Sequence, residues 1–144
     1  EDAEEMELKR YTDAGGNVVQ VELFAGGDHG ALSDIYYYKN GLLFFVLRSE
    51  YGWRFAGKED ANGNAVTVDT ALQTRVYVNH ARLLKVLEKK ASSEDAEEVD
   101  SLMAKAENKV MKPDESHAWI VNLAYAAKFV SSRAELEALS QLGM

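Results

Sequence analysis

Histidine is the first residue type to examine for chemistry, and the chain holds three: His29, His80 and His117. His29 lies in Ala25-Gly26-Gly27-Asp28-His29-Gly30, where Asp28 and His29 form a nominal acid–base or metal-binding pair. Adjacent loop residues seldom converge on one ion, and the local sequence offers no third ligand. The segment therefore reads as a polar turn. His80 falls in a hairpin turn and is expected in solvent. His117 falls in the first turn of a helix, where a cation is electrostatically unfavourable and a local hydrogen bond is expected instead. Gly15-Gly16 and Gly26-Gly27 lack the spacing of a phosphate cradle between strand and helix and read as turns. Asp60-Ala61-Asn62-Gly63-Asn64 begins like a calcium loop, but Val66 and Val68 then replace the oxygen ligands. No HExxH, nucleophile elbow or P-loop is present. The expectation is a chain without a stoichiometric metal or cofactor and without a catalytic constellation.

Aromatic residues carry the one surface hypothesis. In Tyr36-Tyr37-Tyr38 successive rings must alternate between the faces of a strand, so either Tyr37 or the Tyr36/Tyr38 pair points away from the core. Tyr51, Trp53 and Arg54 follow in the stretch 50–69, and these residue types are enriched at energetic hot spots of interfaces. Tyr36, Tyr37, Tyr38, Tyr51, Trp53 and Arg54 are accordingly the candidate partner-binding residues. The competing reading is that C-terminal helices led by Trp119 cover these rings and that Trp53 closes the edge of the core.

The elements that must position these side chains follow from the rest of the sequence. The length of 144 residues suits one domain able to bury a core of its own. There is no cysteine, which removes disulfides, thiolate metal sites and thiol nucleophiles. Twenty-four acidic against 16 basic residues give a net charge of −8, which disfavours nucleic acid and anionic lipid as partners. No apolar run approaches the ~20 residues of a membrane span.

Repetition is the strongest organising signal. Tyr36 to Leu47 aligns without a gap with Val76 to Leu87, and Tyr11 to Glu22 is a weaker third copy. Superposing Gly16, Gly41 and Ala81 brings Val19, Phe44 and Leu84 into one column and Val21, Val46 and Val86 into another. Period two places both columns on one side, so these six residues are the expected core-facing set, with Gln20, Phe45 and Lys85 turned away. Each copy reads as a β-hairpin. Asn40-Gly41 suits a type I′ turn, which needs positive φ at both central residues; Asn79-His80-Ala81 is a poorer turn, expected to be longer or bulged. Six strands are predicted near 6–13, 17–24, 31–39, 42–49, 70–79 and 82–89. Residues 50–69 read as the longest irregular stretch, with room for a short extra hairpin around Asn62-Gly63.

From residue 92 the periodicity becomes helical. Ser92-Ser93-Glu94-Asp95 starts a helix carrying Val99, Met103, Ala106 and Val110, which Lys112-Pro113 ends. A second helix begins at Asp114-Glu115-Ser116 and presents Trp119, Ile120, Leu123, Ala124, Ala127 and Val130 as its apolar stripe. A short third carries Leu136, Leu139 and Leu142 and stops at Gly143. The predicted fold is α+β: an antiparallel meander of about six strands built from three hairpin repeats, with the C-terminal helices packed on one face.

YYYKNGLLFFV and RVYVNHARLLKVLE, followed by an acidic helix, resemble the Tyr-x-x-(Asp/Asn)-Gly-x-Leu hairpins of uncharacterised exported or lipid-anchored bacterial proteins. The resemblance covers residues 8–110 and implies an envelope or secreted location with no known catalytic residues. The chain opens Glu1-Asp2-Ala3-Glu4-Glu5 without an initiator Met, which reads as a trimmed product. The expected function is a non-enzymatic exported or periplasmic module that binds a protein or cell-envelope ligand. The alternative is an acidic intracellular inhibitor, or immunity-type protein, whose negative charge complements a basic partner.

Overall fold

The computed structural model describes residues 5–130 together with 134, 135 and 138. Leu136, Leu139, Leu142 and Gly143 of the expected third helix lie outside the described residues. Within them the chain forms one antiparallel sheet in which strands β1 to β7 lie side by side in chain order. They are β1 (Glu5–Thr12), β2 (Val18–Gly27), β3 (Gly30–Lys39), β4 (Leu42–Glu59), β5 (Ala65–Asn79), β6 (Arg82–Ser93) and β7 (Lys109–Met111). Helix α1 (Ala96–Lys105) separates β6 from β7, and α2 (Glu115–Ala127) follows. The antiparallel α+β reading holds.

Turn chemistry sets the register. Asn40 and Gly41 have φ of 52° and 77°, and His80 and Ala81 have 50° and 62°. Both loops therefore have the positive-φ pair of a type I′ turn, and Asn79 pairs directly with Arg82. The His80-Ala81 loop is thus no longer than its counterpart, and of the two expected alternatives it is the bulge that forms, between Tyr77 and Val78; tertiary pairing holds a side-chain-bearing residue in a conformation that disfavours it. Ala81→Gly should stabilise the protein by about 1 kcal/mol, because a left-handed alanine carries a steric cost that glycine lacks. The check is a urea midpoint that rises at unchanged slope.

A bulge follows each of these turns and also the first. Tyr11 pairs with Gln20 but Thr12 with Val18. Tyr37 pairs with Phe45 but Tyr38 with Leu43. Tyr77 pairs with Lys85 but Val78 with Leu83. The skipped residues are Val19, Phe44 and Leu84, and all three are exposed. This corrects half of the expected core set. An unpaired extra residue interrupts the alternation, so Val21, Val46 and Val86 are fully buried while the column two residues earlier is not.

The core lies on one face. Val21, Tyr36, Val46, Val76 and Val86 form a continuous cross-strand row, and they share a cluster with Ile120, Val121, Leu123, Ala124 and Ala127 of α2. Asp114 caps α2: its carboxylate accepts from the Ser116 backbone N–H, while its own N–H donates to His117 Nδ1. That is the local hydrogen bond expected of His117. Tyr38 donates its hydroxyl to the Ala124 carbonyl, and Arg10 reaches the Val130 carbonyl.

Helix α1 is shorter than expected. It ends at Lys105, and Val110 lies in β7, 74% exposed, pairing with Leu87 along the open edge of β6. Lys89 Nζ donates to the Met103 carbonyl and Ser93 Oγ to Glu98. Period two puts Lys89 and Ser93 on the side opposite Val86. So α1 meets the sheet from the other side, and the two helices do not share one face as expected.

Candidate functional site

Strand parity divides the candidate residues. Along β4 the pairing with β5 runs without a shift from Phe45 to Phe55, so Val46, Arg48, Glu50 and Arg54 face the α2 side, and Phe45, Tyr51, Trp53 and Phe55 the other. The stretch 50–69 is therefore not an irregular loop. It is the far half of a long hairpin whose turn is Asp60 to Asn64, as the extra-hairpin reading allowed. Asp60 Oδ1 accepts from the backbone N–H of Asn62 and Asn64, and these bonds hold its carboxyl below its ordinary range. Asp13 makes the same bonds to Gly15 and Asn17 in the first turn.

Tyr36 and Tyr38 are buried, which removes them from the partner-binding set. Tyr36 donates its hydroxyl to Asp34 Oδ2 at 2.6 Å. Burial, reinforced by the Asp34 carboxylate, pushes its pKa well above the ordinary phenol value. Asp34 is fully buried and is bracketed by Arg48, whose Nε and Nη2 donate to its two carboxylate oxygens at 2.8 Å each. The sequence reading did not single out this pair. Its signal was available in register: Asp34 sits opposite Arg48 just as Tyr36 sits opposite Val46.

Tyr37 does face outward, as one of the two alternatives required. Its ring lies 6.3 Å from Phe44 and 5.7 Å from Phe45, which in turn lies 5.1 Å from Tyr77. Trp53 is on the same face but eight residues further along β4, about 26 Å away at the rise of a strand. The expected surface joining Trp53 to a tyrosine of the 36–38 run is not formed.

Tyr51 and Trp53 do come together. They line an open groove of about 670 Å³ with Phe24, Ala31, Gly26, Gly30, Gly52 and three acids, Glu5, Asp28 and Asp69. The Trp53 indole N–H donates to the Asp28 carbonyl at 3.0 Å, and its ring stands edge-on to Phe55 and 5.1 Å from His29. His29 thus supports Trp53. Glycine forms the floor for a steric reason: a Cβ on Gly30 would lie 2.3 Å from the Tyr51 carbonyl oxygen.

Arg54 belongs to a second depression, of about 740 Å³, on the opposite face with Glu50, Thr70, Leu72, Glu88, Lys90 and Ser92. Burial raises the Glu50 carboxyl pKa; Arg48 opposes the shift and Asp34 and Glu88 add to it. Acids and bases are balanced here. Among the described residues no group of three or more His, Cys, Asp or Glu is placed to hold a metal ion, and no helix is long and apolar enough to cross a membrane. No protein family, curated protein or solved structure matches the chain.

Proposed function

We propose that the chain is a non-enzymatic binding module that engages a protein or cell-envelope ligand through the groove around Trp53. The observation that carries this reading is the convergence of Phe24, Tyr51 and Trp53 over a glycine floor on the face that α2 leaves uncovered. Aromatic walls offer large contact area at little cost in side-chain entropy, and a floor without side chains lets a ligand approach the backbone closely. The likeness of Tyr37-Tyr38-Lys39-Asn40-Gly41-Leu42-Leu43 to exported hairpin proteins supports an envelope or secreted setting. Fractionation of cells expressing the full-length gene product tests that setting.

The scaffold is read as three copies of one hairpin, β1–β2, β3–β4 and β5–β6. What supports this is the recurrence of a bulge at the same repeat column, with Tyr11, Tyr37 and Tyr77 just before it. The first copy has one extra residue in its turn. In this reading α2 is the element added to cover the repeats.

Trp119→Phe leaves Trp53 as the sole indole, since the chain has two tryptophans. Soluble peptidoglycan fragments, a neutral oligosaccharide, and basic and acidic peptides titrated against this variant form a sufficient panel. At least one should change Trp53 emission saturably, and Trp53→Ala in the parent should abolish that binding in calorimetry. Trp53→Ala should cost less than about 2 kcal/mol in stability, short of the ~3–5 kcal/mol of a fully buried tryptophan. A panel with no effect on Trp53 removes the groove as the binding surface.

A further inference from the structure

From the groove's charge and span we infer that its occupant is an extended, basic segment of a protein partner, with lysine or arginine side chains laid against Tyr51 and Trp53. This rests on the groove being the binding surface. The lining holds Glu5, Asp28 and Asp69 and, among the described residues, neither lysine nor arginine. None of these three carboxylates takes part in an ion pair among the described residues. The depression on the other face is different, because Arg54 and Lys90 stand beside Glu50 and Glu88. Uncompensated carboxylates beside the exposed Tyr51 ring and the partly buried Trp53 ring attract a cation twice, by charge and by the ring quadrupole.

Geometry selects a peptide over a small cation. Glu5 is on β1 and Asp69 on β5, four strand spacings apart, with Asp28 in the β2–β3 turn. At about 4.8 Å per spacing the outer carboxylates are separated by roughly 19 Å. A single ammonium cannot reach both. An extended chain covers that span in about six residues and presents a side chain to the same face every second one. The net charge of −8 adds long-range attraction for a basic partner.

The probe is the blocked peptide Lys-Gly-Lys-Gly-Lys-Gly, with the matching glutamate peptide and cellohexaose as comparisons, titrated against the Trp119→Phe variant at low and high salt. The lysine peptide should shift Trp53 emission saturably and bind at least tenfold more weakly at high salt. Binding should fall at least fivefold when Glu5→Gln, Asp28→Asn and Asp69→Asn are combined. It should change less than twofold when Asp100→Asn, Glu107→Gln and Glu115→Gln remove the same charge elsewhere. Equal losses in both triple variants overturn the inference, since attraction would then be diffuse. Binding of cellohexaose at Trp53 without the lysine peptide overturns the basic partner and leaves the groove standing. Silence from every probe, with the melting temperature of the variant unchanged from the parent, overturns both.

Discussion

Arg48→Ala should destabilise the protein by about 3–5 kcal/mol, the effect expected when a buried charge loses its partner. Asp34 has no exposed surface, and its two oxygens are held by Arg48 Nε and Nη2 at 2.8 Å, with the Tyr36 hydroxyl as a further donor. Removing the guanidinium leaves the carboxylate with one neutral donor in a place water does not reach. The cost therefore comes mainly from stranding Asp34 and only secondarily from lost attraction. A double variant, Asp34→Leu with Arg48→Met, should recover most of the loss, because well-packed apolar side chains commonly replace a buried pair without penalty. Urea melts of the three proteins decide the matter. A single variant within about 0.5 kcal/mol of the parent would mean that the pair is solvated.

The same pair shows where sequence reading succeeds and where it stops. Asn40-Gly41 announces its turn because few residues tolerate positive φ, and from that turn the opposition of β3 and β4 follows. The bulge does not announce itself. Leu42, Leu43, Phe44, Phe45, Val46 and Leu47 are all apolar, so a skipped residue at Phe44 leaves no break in the hydropathy pattern. Its phase shift is what turned Val19, Phe44 and Leu84 outward. Residues 50–69 read as an irregular stretch, whereas Gly52 lies in a strand opposite Gly30, and it is at Gly30 that the neighbouring backbone comes too close for a side chain. Once 50–59 is strand, the separation of Trp53 from Arg54 follows from parity alone. The groove itself was not legible. Phe24, Ala31, Tyr51 and Asp69 come from four strands and meet through long-range register. Val110 departs from expectation for a related reason: it follows Ala106 by four residues and Met103 by seven, a helical spacing, but the open edge of β6 takes that segment as a strand.

Leu123→Ala and Trp119→Ala should differ in stability by several kcal/mol, in the order opposite to side-chain size. Both lie on α2, and the sequence placed both on its apolar stripe, with the tryptophan leading. In the structure Trp119 is 49% exposed, while Leu123 is 3% exposed and belongs to the cluster with Tyr36, Tyr38 and Val46. Truncating Leu123 removes buried methyl groups and leaves a cavity between helix and sheet, at a cost of about 2–5 kcal/mol. Truncating Trp119 should change stability by about 1 kcal/mol or less, because its ring already meets water. The reason is angular. Ile120, Leu123, Ala124 and Ala127 recur at three and four residues and point to one side, and Val121 widens that side in the direction away from Trp119. The small residues Ala124 and Ala127 let the helix backbone approach the sheet closely enough for Tyr38 to donate to the Ala124 carbonyl. A large loss in Trp119→Ala with little change in Leu123→Ala would place the opposite face of α2 against the sheet. The Val21–Tyr36–Val46–Val76–Val86 row would then lack the cover on which its burial depends.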